Sequence, residues 1–220
     1  HYIAVNLLAS ALFLVGVAML YGVTGTLAMA DMAQKLAAIP AADRGLLHAG
    51  LAILAVAFLA KAAMWPLGFW LVPAYSAASA PAAAMFAIMT KVGVYAVVRV
   101  WTLFFPSDGA SSAFGADALV AGGLVTLAFG TLGIMATQRL GRLAGYSVIV
   151  SSGTLLAAAG FGVPALPGSA PYYLASSTLA VAALYLLVVL VERARSVEVA
   201  PTAGDTEADS PASYTPLTLP

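Results

Sequence analysis

The chain has 220 residues, 62% of them hydrophobic and only 8% charged, with nine basic against nine acidic side chains and no cysteine. Zero net charge leaves no basic face for nucleic acid, and the missing cysteines exclude disulfides, thiolate chemistry, iron–sulfur clusters and Cys-ligated zinc. A mean hydropathy of +0.99, carried in continuous apolar runs of about 20 residues without period-two alternation, points to an all-α integral membrane bundle rather than a β-barrel.

Hydropathy predicts about six spans. The chain opens at His1 on an apolar run that has no basic stretch ahead of it and is too long for a signal peptide, so it reads as a piece of a longer protein. The first span is expected over about 2–24, followed by a polar loop with Asp31, Lys35, Asp43 and Arg44. The second covers 46–65 and is interrupted at Pro66; 67–80 is still apolar but carries Pro73 and runs into Pro81. A proline removes a backbone donor and clashes with the preceding turn, so a discontinuous helix is expected there. The third span is expected over 82–105, the fourth over 117–136 after a Ser/Gly/Asp loop, and the fifth over 143–163. A loop at 164–169 precedes the sixth, 172–191. From 196 to 220 the sequence is polar and proline-broken, the composition of a disordered tail after a transmembrane region of 1–195.

Loop charges orient the bundle. Arg139 and Arg142 follow the fourth span, and Arg193 and Arg195 follow the sixth. They share a side if each span crosses once, and the excess of Arg and Lys on cytoplasmic loops makes that side, with both chain ends, cytoplasmic. Small residues such as Ala55, Gly122, Gly123, Ala157 and Ala158 allow helix backbones to approach closely.

Two lysines stand out. Lys61 and Lys91 each lie inside an apolar run, and a lysine at mid-bilayer costs at least about 2.5–3.5 kcal/mol on insertion scales. At about 1.5 Å per residue, Lys91 is some 13 Å into its helix, beyond easy reach of the headgroups. Lys61 precedes the Pro66 break, and it too is deep if the span continues past it. A broken helix frees carbonyls and tolerates irregular backbone beside a polar cavity; a partly desolvated amine there can give up and regain a proton. The competing reading of Lys61 is a snorkelling residue at a helix that merely stops. Tyr95 and Arg99 follow Lys91 at intervals of four and are expected on its stripe, Arg99 close enough to the interface to anchor there. His48 stands at a membrane entrance, as an interfacial residue or as a group feeding protons inward. Ser151, Ser152 and Thr154 either bond to their own helix or line a water path.

Enzyme signatures are nearly absent. Gly160-Phe-Gly-Val-Pro-Ala165 satisfies a bare Gly-x-Gly-x-x-Ala pattern, but it follows a membrane helix and holds a proline where a helix should open, so it reads as a loop. There is no Walker sequence, paired-His metal site or nucleophile elbow. No covalent chemistry, cofactor or metal is expected.

The string Lys61-Ala-Ala-Met-Trp-Pro66-Leu-Gly-Phe-Trp-Leu-Val-Pro73-Ala-Tyr75-Ser-Ala-Ala-Ser-Ala-Pro81, followed by Lys91-Val-Gly-Val-Tyr95-Ala-Val-Val-Arg99, resembles the core of the antiporter-like subunits shared by respiratory complex I and the multisubunit Mrp (Pha/Mnh) monovalent cation/proton antiporters. Gly145-Tyr-Ser-Val-Ile-Val-Ser151-Ser-Gly153 and the stretch from Tyr172 to Leu187 most resemble the D subunit of the Mrp type. The resemblance implies a fourteen-helix subunit of two inverted repeats with a water-linked row of ionisable groups along the membrane centre, of which this chain would hold the sixth to eleventh helices. It matches Lys61 to the broken-helix lysine, paired in the family with a glutamate on the preceding helix, and Lys91 to the next lysine of the row. Complex I relatives read Asp-Ala-His-x-Glu-Ala-Pro-Thr-Pro where this chain has 73–81, and carry histidine where it has Ser151. These departures favour the antiporter branch.

The function expected is that of an antiporter subunit in a bacterial cytoplasmic membrane. Protons would pass through Lys61 and Lys91, coupled to Na⁺ or K⁺ export, with other subunits of a hetero-oligomeric complex as partners. The alternatives are a proton-pumping membrane-arm subunit of an NADH:quinone oxidoreductase-type complex and a plain scaffold in which the lysines form structural pairs. Within the spans Asp117 is the one acid, at a helix start, so both lysines require water or a partner outside this stretch.

Overall fold

Apolar runs of spanning length become helices close to where hydropathy places them. The computed structural model describes residues 2–36, 38–105, 114–163 and 165–199. In chain order the helices are α1 (Tyr2–Thr24), α2 (Met29–Leu36), α3 (Arg44–Lys61), α4 (Leu71–Ala77), α5 (Ala80–Phe104), α6 (Ala116–Ala136), α7 (Leu140–Gly160) and α8 (Leu166–Val199). Six of them, all but α2 and α4, are long and apolar enough to cross a membrane.

The differences from expectation are local. The polar loop after α1 contains α2, an amphipathic helix that tucks Met32 into the bundle and sets Asp31 3.1 Å from Lys35 one turn on; a hydropathy window is blind to so polar a helix. Lys35 first, then the Thr26 hydroxyl, hold the Asp31 carboxyl below the usual carboxylate range. The sixth span begins at Leu166, so 166–169 is helix rather than loop. Pro167 falls in the first turn, where a missing N–H costs nothing, and Pro171 forfeits one further bond. The same helix runs on to Val199. The rest of the expected tail, 200–220, lies outside the described residues, as do 106–113 of the expected Ser/Gly/Asp loop and Pro164 of the glycine pattern.

The principal packing pairs are α6 with α7, α1 with α3 and α5 with α8, and α5 and α7 touch each other at the centre. The α6–α7 contact is backbone-close: a Cβ on Gly153 would stand 2.6 Å from the Leu127 nitrogen. That is the use expected of small residues in a membrane bundle, where close van der Waals packing holds helices together. Ala144 and Val148 of α7 cluster with Val181 and Tyr185 of α8, and Leu155 and Ala159 with Leu166 and Leu174; the two helices are therefore antiparallel, which puts the pairs Arg139/Arg142 and Arg193/Arg195 towards one end of the bundle.

Two apolar cores divide the molecule by depth. One collects Leu47, Leu51 and Leu54 of α3, Val94 to Phe104 of α5 and Leu155, Leu156 and Ala159 of α7. The other collects Leu71 and Tyr75 of α4, Ala83 and Ala87 of α5, Ala144, Val148 and Ile149 of α7 and Tyr185 of α8. Between them, residues 88–93 of α5 and 150–154 of α7 carry the buried polar side chains Thr90, Lys91, Ser151 and Ser152.

Candidate functional site

The α3 helix stops at Lys61, four residues before the expected end, and residues 62–70 form a packed, non-helical turn. Ala63 takes φ 58°, left-handed for a residue with a side chain, and the Trp65–Pro66 peptide is cis. Gly68 folds back so tightly that a Cβ there would collide with the Ala63 carbonyl; only glycine closes this turn. Side chains answer two of the freed backbone groups. The Trp70 indole donates to the Ala60 carbonyl at 3.2 Å, and the Trp65 N–H donates to the Thr126 hydroxyl at 2.9 Å. The turn is thus held by neighbouring helices, as irregular backbone at membrane depth must be.

This turn falls at the level of the polar band. A Cβ on Gly93 of α5 would stand 3.0 Å from the Lys61 Cβ and 2.9 Å from the Ala62 nitrogen, so Lys61 abuts α5 two residues past Lys91. Lys91 is the twelfth residue of the 25-residue α5, and Ser151, which accepts a hydrogen bond from its Nζ, is the twelfth of the 21-residue α7. Both lysines therefore sit at mid-depth.

Their environments differ. Lys91 is 3% exposed, with the Tyr173 ring centroid 6.0 Å from its ammonium, a distance at which a ring face still attracts a cation. Lys61 is half-buried and donates to Asn6 Oδ1 of α1. Asn6 is held in turn: its Nδ2 donates to the Tyr2 carbonyl at 2.9 Å, which leaves Oδ1 to face the lysine. Among the described residues, the hydrogen-bond acceptors of both ammonium groups are neutral oxygens.

A cavity of 310 Å³ opens beside Lys61, lined by Asn6, Tyr75 and Thr90 among apolar side chains such as Phe58, Trp70, Phe86 and Val92. The Tyr75 and Thr90 hydroxyls bond to each other, and Tyr75 Oη also reaches the Phe86 carbonyl at 2.5 Å. Lys91 lies on the far side of α5, about 200° around the helix from Gly93, with Thr90 facing the cavity. The arrangement places two amines, neutral acceptors and hydroxyls at one level of the bundle, on opposite sides of α5.

The family model described as "NADH:quinone oxidoreductase/Mrp antiporter, TM" matches residues 1–204. The chain belongs to this family. It is 58% identical over 196 residues to the D subunit of a probable K(+)/H(+) antiporter of Rhizobium meliloti, covering 89% of this chain and 36% of that protein. It is 37% identical over 187 residues to the D subunit of the Na(+)/H(+) antiporter of Bacillus subtilis, covering 84% and 37%. The chain thus spans little more than a third of the length of these curated relatives. Among solved structures it superposes on the Mrp complex from a Dietzia species with a TM-score of 0.72 at 30% identity, covering 84% of this chain and 33% of that one. The archaeal membrane-bound sulfane sulfur reductase gives 0.74 at 30% identity, covering 84% and 37%.

Of the residues singled out in the sequence, Lys91 and Ser151 are hydrogen-bonded in the polar band, and Lys61 lies at the same level on the other side of α5. Ser152 lies beside them but donates to the Val148 carbonyl of its own helix at 3.0 Å. Thr154 likewise bonds to Val150. Tyr95 and Arg99 follow Lys91 on the same unbroken helix, but Tyr95 is 45% exposed and Arg99 is exposed as well, so neither shares the burial of Lys91. Each step of four residues rotates by about 40°, enough to carry Tyr95 off the buried edge. His48 is half-buried, stacked on Phe114 at 4.4 Å and about 20 Å along α3 from Lys61. The break expected at Pro66 begins at Ala62. Asn6, Tyr75, Thr90 and Thr126 do not announce themselves in the sequence as site residues. Asn6 alone leaves a signal there, as the one amide in the 23-residue α1.

Proposed function

We propose that this chain is part of a subunit of a multisubunit monovalent cation/proton antiporter of the bacterial cytoplasmic membrane, in which protons move through Lys61 and Lys91 along hydrated groups at mid-depth, coupled to Na⁺ or K⁺ export. One observation carries the reading: both lysines stand at the same level, in a buried polar band between two apolar cores. A buried charge that merely braced the fold would be met by an opposite charge, because an unpaired ion in an apolar interior is strongly unfavourable. Among the described residues Lys61 and Lys91 are held by an amide and a hydroxyl, and any countercharge lies outside this stretch. Neither acceptor neutralises the amine, so the cationic form depends on what water or another charge is nearby. A change in that neighbourhood, by water or by a charge outside this stretch, is what would move a proton on to the next group.

The names of the two relatives, D subunits of a K(+)/H(+) and a Na(+)/H(+) antiporter, support the transported species and the other subunits as partners. The basic end, with Arg139, Arg142, Arg193 and Arg195, is cytoplasmic by the excess of positive charge there. Lys61→Ala in the full-length complex should abolish exchange in everted vesicles while assembly survives; exchange at the wild-type rate would refute the assignment. The likeness to the archaeal respiratory complex favours a second reading, a membrane-arm subunit of a redox-driven pump. Loss of exchange on adding a respiratory-chain poison, with the ion gradient otherwise sustained, would select it.

A further inference from the structure

A second cavity, of 430 Å³, lies between α4, α6 and α7, within the range of about 300–1,000 Å³ usual for small-molecule sites. Its lining changes character with depth. Arg142 precedes Ser151 by nine positions on α7, which sets it about 13 Å from mid-depth towards the basic end, close to the edge of a hydrocarbon core about 30 Å thick. Ser76, near the end of α4, and Tyr146, one turn beyond Arg142, complete the polar part. The deeper wall is apolar. Phe69 belongs to the non-helical turn at the level of the lysines, and Val72 follows in the first turn of α4. Phe129 adjoins Gly130, where a Cβ would stand 3.0 Å from the Val150 nitrogen, so it too lies near mid-depth. Tyr146 stands edge-on to Phe129 with ring centroids 6.0 Å apart and joins the two parts of the wall.

Among the described residues, no carboxylate lines this cavity and Arg142 has no hydrogen bond or ion pair. Arg142, Ser76, Phe69 and Phe129 are all exposed, so the cavity is open along its length. A cation at the membrane edge above an apolar slot is the complement of an amphipathic anion; a free anion would use the mouth and leave the slot unfilled. We infer that this cavity binds an anionic glycerophospholipid of the cytoplasmic leaflet, with its phosphodiester on Arg142 and the Tyr146 hydroxyl and an acyl chain along Val72, Phe69 and Phe129. A guanidinium offers paired donors that match phosphate oxygens, and basic pockets between membrane helices on the cytoplasmic side recognise anionic headgroups. The lipid site shares no lining residue with the Lys61 cavity. It depends on the proposed orientation of the basic end and not on proton movement through the lysines.

The test uses the complete complex with the full-length subunit, reconstituted in phosphatidylcholine vesicles. Phe69→Trp puts a fluorophore on the wall of the slot, read as the difference from the parent complex. Phosphatidylglycerol with brominated acyl chains, which quench a tryptophan they touch, should act at a mole fraction about tenfold below that required of brominated phosphatidylcholine, the factor for one charge-assisted hydrogen bond. Arg142→Gln should abolish that preference and Arg142→Lys should keep part of it. Equal quenching by the two lipids overturns the inference and leaves an ordinary lipid-facing groove. Absence of quenching by either overturns it as well, because protein outside this stretch then covers the slot, and so does a preference that survives Arg142→Gln. If Phe69→Trp does not assemble, Phe129→Trp reports from the opposite wall. Lys61→Ala added to the reporter variant separates this inference from the transport reading: it should lose exchange and keep the lipid preference, whereas a missing preference beside normal exchange defeats the lipid site alone.

Discussion

Lys91 and Ser151 join α5 to α7 through a hydrogen bond at the midpoint of both helices, with the ammonium donating and the hydroxyl accepting. Ser151→Ala removes that acceptor from an almost wholly buried cation. The expected loss is about 1–3 kcal/mol of stability, with a fall in exchange, and Ser151→Thr, which restores the hydroxyl, should recover both. Thermal unfolding of the purified complex and proton exchange in everted vesicles check the pair; an alanine variant as stable and active as the parent would show that another acceptor serves Lys91.

How far the sequence reveals this site follows from the range of each signal. Helix existence and the depth of Lys91 rest on local hydropathy, and both are legible. The partner of Lys61 is not: Asn6 is 55 residues away, and nothing local says that the first span lies against the third helix. The start of the break is hidden because proline announces itself at Pro66, whereas the chain leaves the helix where Gly68, Trp70 and Thr126 can hold the turn. Those contacts are tertiary. Tyr95 is exposed where Lys91 is buried for a geometric reason, since a spacing of four tracks a helical face only approximately. The polar band is half visible, as two lysines; its hydroxyls look like ordinary membrane-helix serines and threonines until the packing assigns them.

Replacing Lys91 by methionine tests whether the charge is kept for transport. Methionine is similar in length and flexible enough to fill the same space, and exchanging a buried ion for a well-packed apolar group is often neutral or stabilising. Lys91→Met should therefore leave the melting temperature unchanged or raised while exchange is lost. Loss of stability in step with activity would instead assign the lysine to the fold.

Asn6 separates two ways of holding Lys61. Its amide is oriented by the bond to the Tyr2 carbonyl, so Oδ1 supports the ammonium without carrying a charge of its own. Asn6→Leu should lower both stability and exchange, because it leaves the amine with one acceptor fewer, at a cost of about 1–3 kcal/mol. Asn6→Asp should keep or raise stability and still slow exchange, because a fixed carboxylate favours the cation and retains its proton. Vesicle exchange read beside thermal unfolding distinguishes the two, and equal exchange in both variants and the parent would remove Asn6 from the mechanism.

Gly93 tests whether the level at which the lysines meet is set by packing. A Cβ there would press on the backbone of Lys61 and Ala62 at about 3 Å, and these atoms belong to the end of α3, not to a side chain that can swing aside. Gly93→Ala must push α5 away from the broken helix, with an expected destabilisation of about 1–3 kcal/mol, the usual range for overpacking. The displacement also alters the wall of the cavity beside Lys61, so exchange should fall even in the fraction that assembles. Gly45→Ala is the matched control, because a Cβ at that position meets nothing within 4 Å and alanine favours the helix. If Gly93→Ala exchanges as fast per assembled complex as Gly45→Ala does, close contact between α5 and the end of α3 is not what brings Lys61 and Lys91 to one depth for proton transfer.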